Sequence, residues 1–366
     1  MVTTDKNYQK MACHYIDDQL KKLIKEIDGA RKCEDIECVH QSRVASRRLR
    51  AAFVIFENCF PPKDLKNWRD EIKKLTKAFG PARDADVQIE FLNKFISKLG
   101  PDQKNFMPGI KRLLLRTTQR RQKLQPKVIK IVDRLESKAI LPEIHSSIEK
   151  ILFCMIGQES DSKSDNLLNE TSTHIRNALI DMIACEHYLD DRDNITGHHK
   201  MRIAAKKLRY TMEICCEPYG EKLNSAIKVV KKLQTILGDI HDCDVWIETV
   251  DNFMQEELER TKEYFGNEKP YNFLNSGLEY LKQERQQVRE HLFDILTRYW
   301  KRLDKQNFWE DLQSKLYKPQ VEVEKVQPIL PIIEITKRNL SEKANNKNSS
   351  DIGYSRESAG TEGSSQ

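Results

Sequence analysis

The sequence contains no long hydrophobic run, because eighteen consecutive apolar residues occur nowhere in its 366 positions. A helix that spans a bilayer needs about twenty such residues, so no membrane span is predicted. The first ten residues are polar and lack the apolar centre of a signal peptide. The nine cysteines are odd in number and form no C-x-x-C motif, which indicates small apolar side chains in a reducing compartment. These absences predict a soluble cytoplasmic protein.

Alternating β-patterns are also scarce, whereas apolar residues recur every three or four positions almost throughout the chain. This spacing is typical of helices that bury one face, so we predict an all-α protein. Proline and glycine interrupt the pattern at Pro61-Pro62, Gly80-Pro81 and Gly100-Pro101. These breaks divide the first half into predicted helices near 5–28, 39–59, 64–79, 84–98 and 106–136.

Acidic residues are missing from two short segments, although the formal net charge of the whole chain is only +6. Residues 39–56 hold four arginines and no acid, and residues 197–212 hold five cations and no acid. A solvated helix face normally mixes both signs, because cations repel one another and acid–base pairs stabilise the helix. The two segments therefore predict an anionic partner.

The two acid-free segments belong to an internal repeat. Val39–Arg50 aligns without gaps on His198–Arg209, at an offset of 159 residues, and Leu75–Val87 aligns on Leu233–Val245, at an offset of 158. Two matches in the same order predict a duplicated helical unit. The predicted organisation is a first bundle at 1–157, a linker at 158–166, a second bundle at 167–318 and a mostly disordered tail at 319–366 with an apolar island at Pro328–Ile335.

A helical wheel separates each basic segment into two faces. The polar stripe of the first copy carries His40, Arg43, Arg47 and Arg50, and that of the second carries His199, Arg202, Lys206 and Arg209. The apolar face opposite is predicted to anchor each helix, through Ala45, Leu49, Ala52 and Phe56 and through Ala204, Leu208 and Cys215. Arg48 and Lys207 lie to one side. The two histidines are predicted to lie in the first helical turn, where free N–H groups favour anions.

Further basic residues could support the same ligand. The segment from Lys111 to Arg134 holds nine cations, and only Asp133 opposes them. The corresponding part of the second half carries less unopposed positive charge, because its cations lie among glutamates. The predicted supporting residues are Arg48, Lys207, Arg112, Arg116, Arg120, Arg285 and Arg289.

The pattern His-x-x-Arg-x-x-x-[Arg/Lys]-[Arg/Lys]-Leu-Arg, followed by Leu-Gly or Phe-Gly and then Asp-x-Asp-Val, resembles the CHAD domain, the conserved histidine α-helical domain. The resemblance covers about residues 5–318. It implies two helical bundles related by a pseudo-twofold axis, with a basic central cavity that binds inorganic polyphosphate. It also implies that the ligand-facing residues are His40, Arg43, Arg47, Arg50, His199, Arg202, Lys206 and Arg209.

We expect binding without catalysis, and no cofactor or bound metal. Some CHAD domains are fused to a CYTH triphosphatase domain, whose N-terminal Glu-x-Glu-x-Lys motif is missing from this sequence. Lys206 departs from the pattern, because a lysine replaces the bidentate fork of arginine with a point charge. Candidate partners are polyphosphate and the enzymes that metabolise it, and a candidate location is the polyphosphate granule.

The sequence is also compatible with two other functions. A metal-dependent phosphoanhydride hydrolase could use Asp84, Asp86, Asp242 and Asp244, with His241 beside them. Against it, the repeat partner of His241 is Arg83, which cannot ligate a cation. An RNA- or single-stranded-DNA-binding module would use the same cations, but the two stripes contain no aromatic residue on which a base could stack.

Overall fold

The computed structural model describes residues 5–33, 35–156 and 165–316, which form ten α-helices and no β-strand. This confirms the all-α prediction. Short 3₁₀ turns connect several of the helices. The helices are α1 Lys6–Lys32, α2 Ile36–Ile55, α3 Pro62–Lys98, α4 Met107–Ser137, α5 Ile140–Cys154, α6 Asp165–Ile183, α7 Ile195–Ile214, α8 Asn224–Phe265, α9 Asn272–Lys305 and α10 Phe308–Ser314.

Part of the predicted organisation lies outside the described residues. The tail at 319–366, its island at Pro328–Ile335 and most of the linker at 158–166 fall there. The ten helices belong to one compact unit of the chain. None of the helices in the described ranges combines the length and hydropathy that crossing a bilayer requires.

The predicted break at Gly80-Pro81 is wrong, since α3 runs unbroken from Pro62 to Lys98 with Pro81 inside it. A proline in a helix interior removes one backbone hydrogen bond, at a cost of about 3 kcal/mol. Packing offsets this loss, because Phe79, Gly80 and Ala82 around the proline are buried. The breaks near residues 61 and 100 are confirmed, since α3 begins at Pro62 and ends at Lys98.

Capping residues fix where the two basic helices begin. The Asp35 side chain accepts a hydrogen bond from Glu37 N at the start of α2, and Asn194 Oδ1 accepts one from Gly197 N at the start of α7. His40 and His199 are therefore each the fifth residue of their helix. The prediction that they lie in the first turn is wrong, because both helices begin earlier than the charge pattern suggested.

The four long helices α3, α4, α8 and α9 share one apolar cluster. The cluster is formed by Leu92, Ile110, Leu113, Trp246, Val250, Phe253, Leu278 and Leu281. Two glycines mark close backbone approaches here. A Cβ on Gly109 of α4 would lie 2.1 Å from Leu274 O of α9, and one on Gly277 of α9 would lie 1.9 Å from O of Phe106, the residue before α4. Because glycine has no Cβ, the backbones can approach this closely.

The apolar faces of α2 and α7 are buried as predicted. Ala45, Leu49, Ala52 and Phe56 are each at most 2% exposed, and Leu208 and Cys215 are fully buried. Ala204 is 7% exposed. Because the apolar face of each helix is buried in the core, the basic stripe on its opposite side points away from the apolar residues that anchor that helix.

Candidate functional site

The basic stripes of α2 and α7 face each other where the two helices approach. Arg47 Nη2 donates a hydrogen bond to Tyr210 Oη at 2.8 Å, and Arg48 Nη2 lies 3.3 Å from Glu213 Oε2. Both contacts join α2 to α7. The structure therefore brings together two sequence segments that lie about 160 residues apart.

Six cationic side chains gather at this approach, and we call them the cationic cluster. Its members are Arg43, Arg47 and Arg50 of α2 with Arg202, Lys206 and Arg209 of α7. Burial, together with the nearby charges of Arg47, Arg202, Arg43 and Arg50, lowers the pKa of Lys206 to about 8. Burial and neighbouring cations also lower the pKa values of Arg43 and Arg202, although Asp84 and Asp242 oppose the shifts.

Arg43 of the cluster has a donor that no protein group satisfies. Its Nε is buried and has no hydrogen-bond partner in the structure, and its Nη2 lies 3.7 Å from Asp84 Oδ1, beyond hydrogen-bond distance. The guanidinium rests against Gly80, where a Cβ would lie 3.7 Å from Nη2. A buried, unsatisfied donor on a cation is costly unless an anion reaches it.

Three further residues, which the sequence did not predict, belong to the site. Glu213 accepts a hydrogen bond from Arg209 Nε at 2.7 Å and pairs with Arg48 of the other helix. Tyr210 lies between Arg47 and Arg209, whose guanidinium carbons are 5.7 and 5.9 Å from its ring centre. Gln234 of α8 accepts from Arg209 Nη1 at 3.4 Å. Glu213 had a signal, since it lies four residues after Arg209.

The histidines lie at the edges of the cluster. Burial and then the charges of Arg83, Arg43 and Arg47 lower the pKa of His40. His199 Nδ1 lies 3.3 Å from His241 Nδ1, and burial with the charges of Arg202, His199 and Lys206 lowers the pKa of His241 to about 4. His40 and His241 are thus neutral at neutral pH and can donate a hydrogen bond without adding charge.

The predicted supporting residues are mostly bound to protein groups. Arg289 is buried and lies 2.5 Å from Asp244, so its guanidinium belongs to the core. Lys207 pairs with Asp181 at 2.7 Å on the outer surface. The other contacts are Arg48 with Glu213, Arg112 and Arg116 with Glu257, Arg120 with Gln88, and Arg285 with Glu284.

The four aspartates of the hydrolase hypothesis differ in their surroundings. Asp86 is buried and accepts from Arg121 Nε at 2.6 Å, which matches the Asp244–Arg289 pair in the other half. Asp84 is exposed and lies beside Arg43. In the described ranges, no three histidine, cysteine, aspartate or glutamate side chains are grouped so that they could hold a metal ion.

Two solved structures have a similar fold. The CHAD domain from the plant Ricinus communis has a TM-score of 0.55 and 20% identity, covering 80% of this chain and 90% of that one. PptA from Streptomyces chartreusis has a TM-score of 0.52 and 12% identity, covering 80% of this chain and 99% of that one. At these identities the likeness shows the fold alone.

Sequence comparison finds uncharacterised proteins of two Mycobacterium tuberculosis strains, CDC 1551 / Oshkosh and H37Rv. Each is 22% identical over 241 residues, which are 62% of this chain and 42% of the relative. The chain therefore spans less than half the length of these relatives. The family model described as the CHAD domain matches residues 14–251, more than half of the chain. This match confirms the resemblance seen in the basic helices, and the chain belongs to the CHAD domain family.

Proposed function

We propose that this protein binds inorganic polyphosphate and that the cationic cluster holds the phosphate chain without hydrolysing it. The observation that carries the proposal is the convergence of six cations from two helices, among which Arg43 Nε is buried and unpaired. Glu213 is half-buried beside Arg209 and neutralises only part of this charge. A long polyanion suits the site because it carries negative charge along its whole length.

We further propose that the two halves are an internal duplication that encloses one basic cavity around a pseudo-twofold axis. Three pairs of features support this proposal. The basic helices α2 and α7 both contain 20 residues, the Asp86–Arg121 ion pair corresponds to Asp244–Arg289, and the close-contact glycine at 109 corresponds to that at 277. On this interpretation α2 and α7 are two walls of a single site.

The absence of hydrolysis is part of the proposal. Asp86 and Asp244 hold buried arginines, so using them as metal ligands would leave two buried cations unpaired. Asp84 and Asp242 lie near Arg43 and Arg202, whose charges would repel a divalent ion. These surroundings favour binding over metal-assisted chemistry.

The nucleic-acid hypothesis is weaker for a similar reason. Tyr210 is an aromatic residue in the site, but Arg47 and Arg209 lie over its ring and its hydroxyl accepts from Arg47. A base would have to displace an arginine in order to stack there. Polyphosphate has no bases and needs only spaced cations.

The proposed function also implies partners and a location. The partners would be enzymes that metabolise polyphosphate, and the location would be cytoplasmic polyphosphate granules.

The test of the proposal removes one cation from each wall. We expect Arg43→Ala and Arg202→Ala to weaken polyphosphate binding by about tenfold each, and the double variant to weaken it further, because each removes a charged contact. Titration calorimetry at several salt concentrations measures the loss. Helix content from circular dichroism is expected to stay unchanged.

The matched control is Arg69→Ala with Arg298→Ala, which removes one arginine from each half outside the cluster. Unaltered binding in the Arg43→Ala/Arg202→Ala variant would contradict the proposal, and so would preference for single-stranded RNA at equal phosphate concentration. Phosphate release in the presence of Mg²⁺ that Asp242→Ala abolishes would overturn the non-catalytic part.

A further inference from the structure

Two seams between long helices occupy equivalent places in the two halves, but they differ in what fills them. One lies between α3 and α9, and the other between α8 and α4. Positions on α3 and α8 correspond at an offset of 158 residues, from the sequence repeat. Positions on α4 and α9 correspond at an offset of 168 residues. This offset follows from two matched pairs, Gly109 with Gly277 and Arg121 with Arg289.

Aromatic rings fill the seam between α3 and α9. The ring centre of Phe95 on α3 lies 6.1 Å from that of Tyr280 on α9, and the ring centre of Phe91 lies 4.7 Å from that of Trp246 on the neighbouring helix α8. The guanidinium carbon of Arg285 lies 4.7 Å from the ring centre of Phe91. Arg285 also pairs with Glu284, so this seam offers little free positive charge.

The seam between α8 and α4 is open. Thr249 takes the place of Phe91 and Arg112 takes the place of Tyr280, so two rings are missing. A cavity of about 560 Å³ lies there. Its lining includes Arg116, Arg120, Lys123, Thr249, Glu256 and Arg260.

The charge of the open seam differs from that of its counterpart. Arg116, Arg120 and Lys123 are spaced by four and three residues, so they lie on one face of α4. The corresponding positions on α9 are Glu284, Val288 and His291. Arg116 contacts Glu257, and the hydrogen-bond partner of Arg120 is the neutral amide of Gln88. Arg120 and Lys123 are exposed, which leaves them accessible to an anion.

Helix α3 connects the open seam to the cationic cluster. Gly80 and Asp84 contact Arg43, and Gln88 contacts Arg120. These three positions are four residues apart and therefore follow one stripe of α3. Eight residues of helix correspond to about 12 Å, so the two groups of cations lie within reach of one extended phosphate chain.

We infer that bound polyphosphate leaves the cationic cluster on one side only, along α3 and into the open seam, where Arg120 and Lys123 hold it. The inference rests on the proposed function. The two sides of the site would then differ in their contacts with the ligand, despite the repeat. Short chains would fill the cationic cluster alone, and longer chains would gain a second group of contacts in the open seam.

The test compares tripolyphosphate with a long-chain polyphosphate on the full-length protein. We expect Arg120→Ala/Lys123→Ala to weaken long-chain binding by about tenfold while tripolyphosphate binding stays unchanged. The slope of log affinity against log salt is expected to fall by about 1.4 for the long chain, since two cations are lost. Thr249→Phe introduces into the cavity the kind of ring that Phe91 provides in the other seam. It is also expected to weaken binding of the long chain while tripolyphosphate binding stays unchanged.

The matched control is Arg298→Ala/Lys301→Ala, an exposed arginine and lysine three residues apart on α9. It is expected to bind both ligands as the unaltered protein does. If Arg120→Ala/Lys123→Ala binds the long chain like this control, or loses both ligands equally, the inference is wrong. If the unaltered protein binds neither ligand, the proposed function itself fails.

Discussion

The lowered pKa of Lys206 makes the stability of the fold depend on pH. It occupies the position that corresponds to Arg47, and burial beside four arginines lowers its pKa to about 8. The unfolded chain, with an ordinary lysine pKa, binds more protons above pH 8, so this residue makes the fold more stable as pH rises from about 8 towards 10.5. Lys206 is therefore the member of the cluster whose charge varies near physiological pH.

Polyphosphate affinity is expected to fall as pH rises through about 8, because Lys206 loses the proton that a bound anion would stabilise. The fall is limited to about tenfold per pH unit, since one proton is involved. Lys206→Arg is expected to remove this dependence, because the guanidinium stays protonated up to about pH 12. Titrations at pH 7, 8, 9 and 10 measure the effect.

Lys207→Arg is the control for this prediction. Lys207 is the next residue, but it pairs with Asp181 on the outer surface. Its arginine variant is expected to keep the full pH dependence. If the affinity of the Lys206→Arg protein still declines above pH 8, the group that titrates is another residue.

Most of the residues of the site could be predicted from the sequence, because a repeated helix with one acid-free stripe has a single geometric interpretation. The wheel separated Arg43 and Arg47 from the buried Leu49, and the structure agrees. Tyr210 and Glu213 could not be predicted, since their roles depend on the approach of α2 to α7. That approach is a tertiary contact and leaves no local pattern.

At the scale of elements, a candidate metal ligand on helix α3, Asp86, instead forms an ion pair with a neighbouring helix. Asp86 and Arg121 are both buried and join α3 to α4. Burial raises the pKa of Asp86, while the charge and hydrogen bond of Arg121 lower it. The helix also continues through Gly80-Pro81, which a local breaker rule could not foresee, because packing on both sides of the proline outweighs the lost hydrogen bond.

Asp86→Ala is expected to reduce the free energy of unfolding by about 3–5 kcal/mol, because it leaves Arg121 buried without its counter-ion. Asp84→Ala is the matched control. Asp84 is exposed and only near Arg43, so its loss is expected to cost less than about 1 kcal/mol. Urea unfolding followed by circular dichroism compares them. Equal and small effects would mean that the Asp86–Arg121 pair does not hold α3 to α4.

At the scale of the whole molecule, Glu213 links α2 to α7 and, under the proposed function, would compete with the ligand. It accepts a hydrogen bond from Arg209 of its own helix and pairs with Arg48 of α2. Without this carboxylate the two walls of the site would repel each other more strongly. With polyphosphate bound, the same carboxylate would repel the ligand. Under the proposed function, one residue would therefore stabilise the unoccupied protein and limit its affinity for polyphosphate.

Glu213→Gln is expected to lower the free energy of unfolding by about 1–3 kcal/mol without ligand, because Arg48 and Arg209 lose a charged partner. Adding polyphosphate is expected to raise the melting temperature more in this variant than in the unaltered protein, since the ligand replaces the missing charge and meets no carboxylate. Asp181→Asn, which removes the surface partner of Lys207, is expected to change neither quantity appreciably. Because the two expected effects have opposite signs, general unfolding cannot imitate them. A Glu213→Gln protein with lower stability and an unchanged ligand-induced shift would show that the carboxylate only braces the two helices.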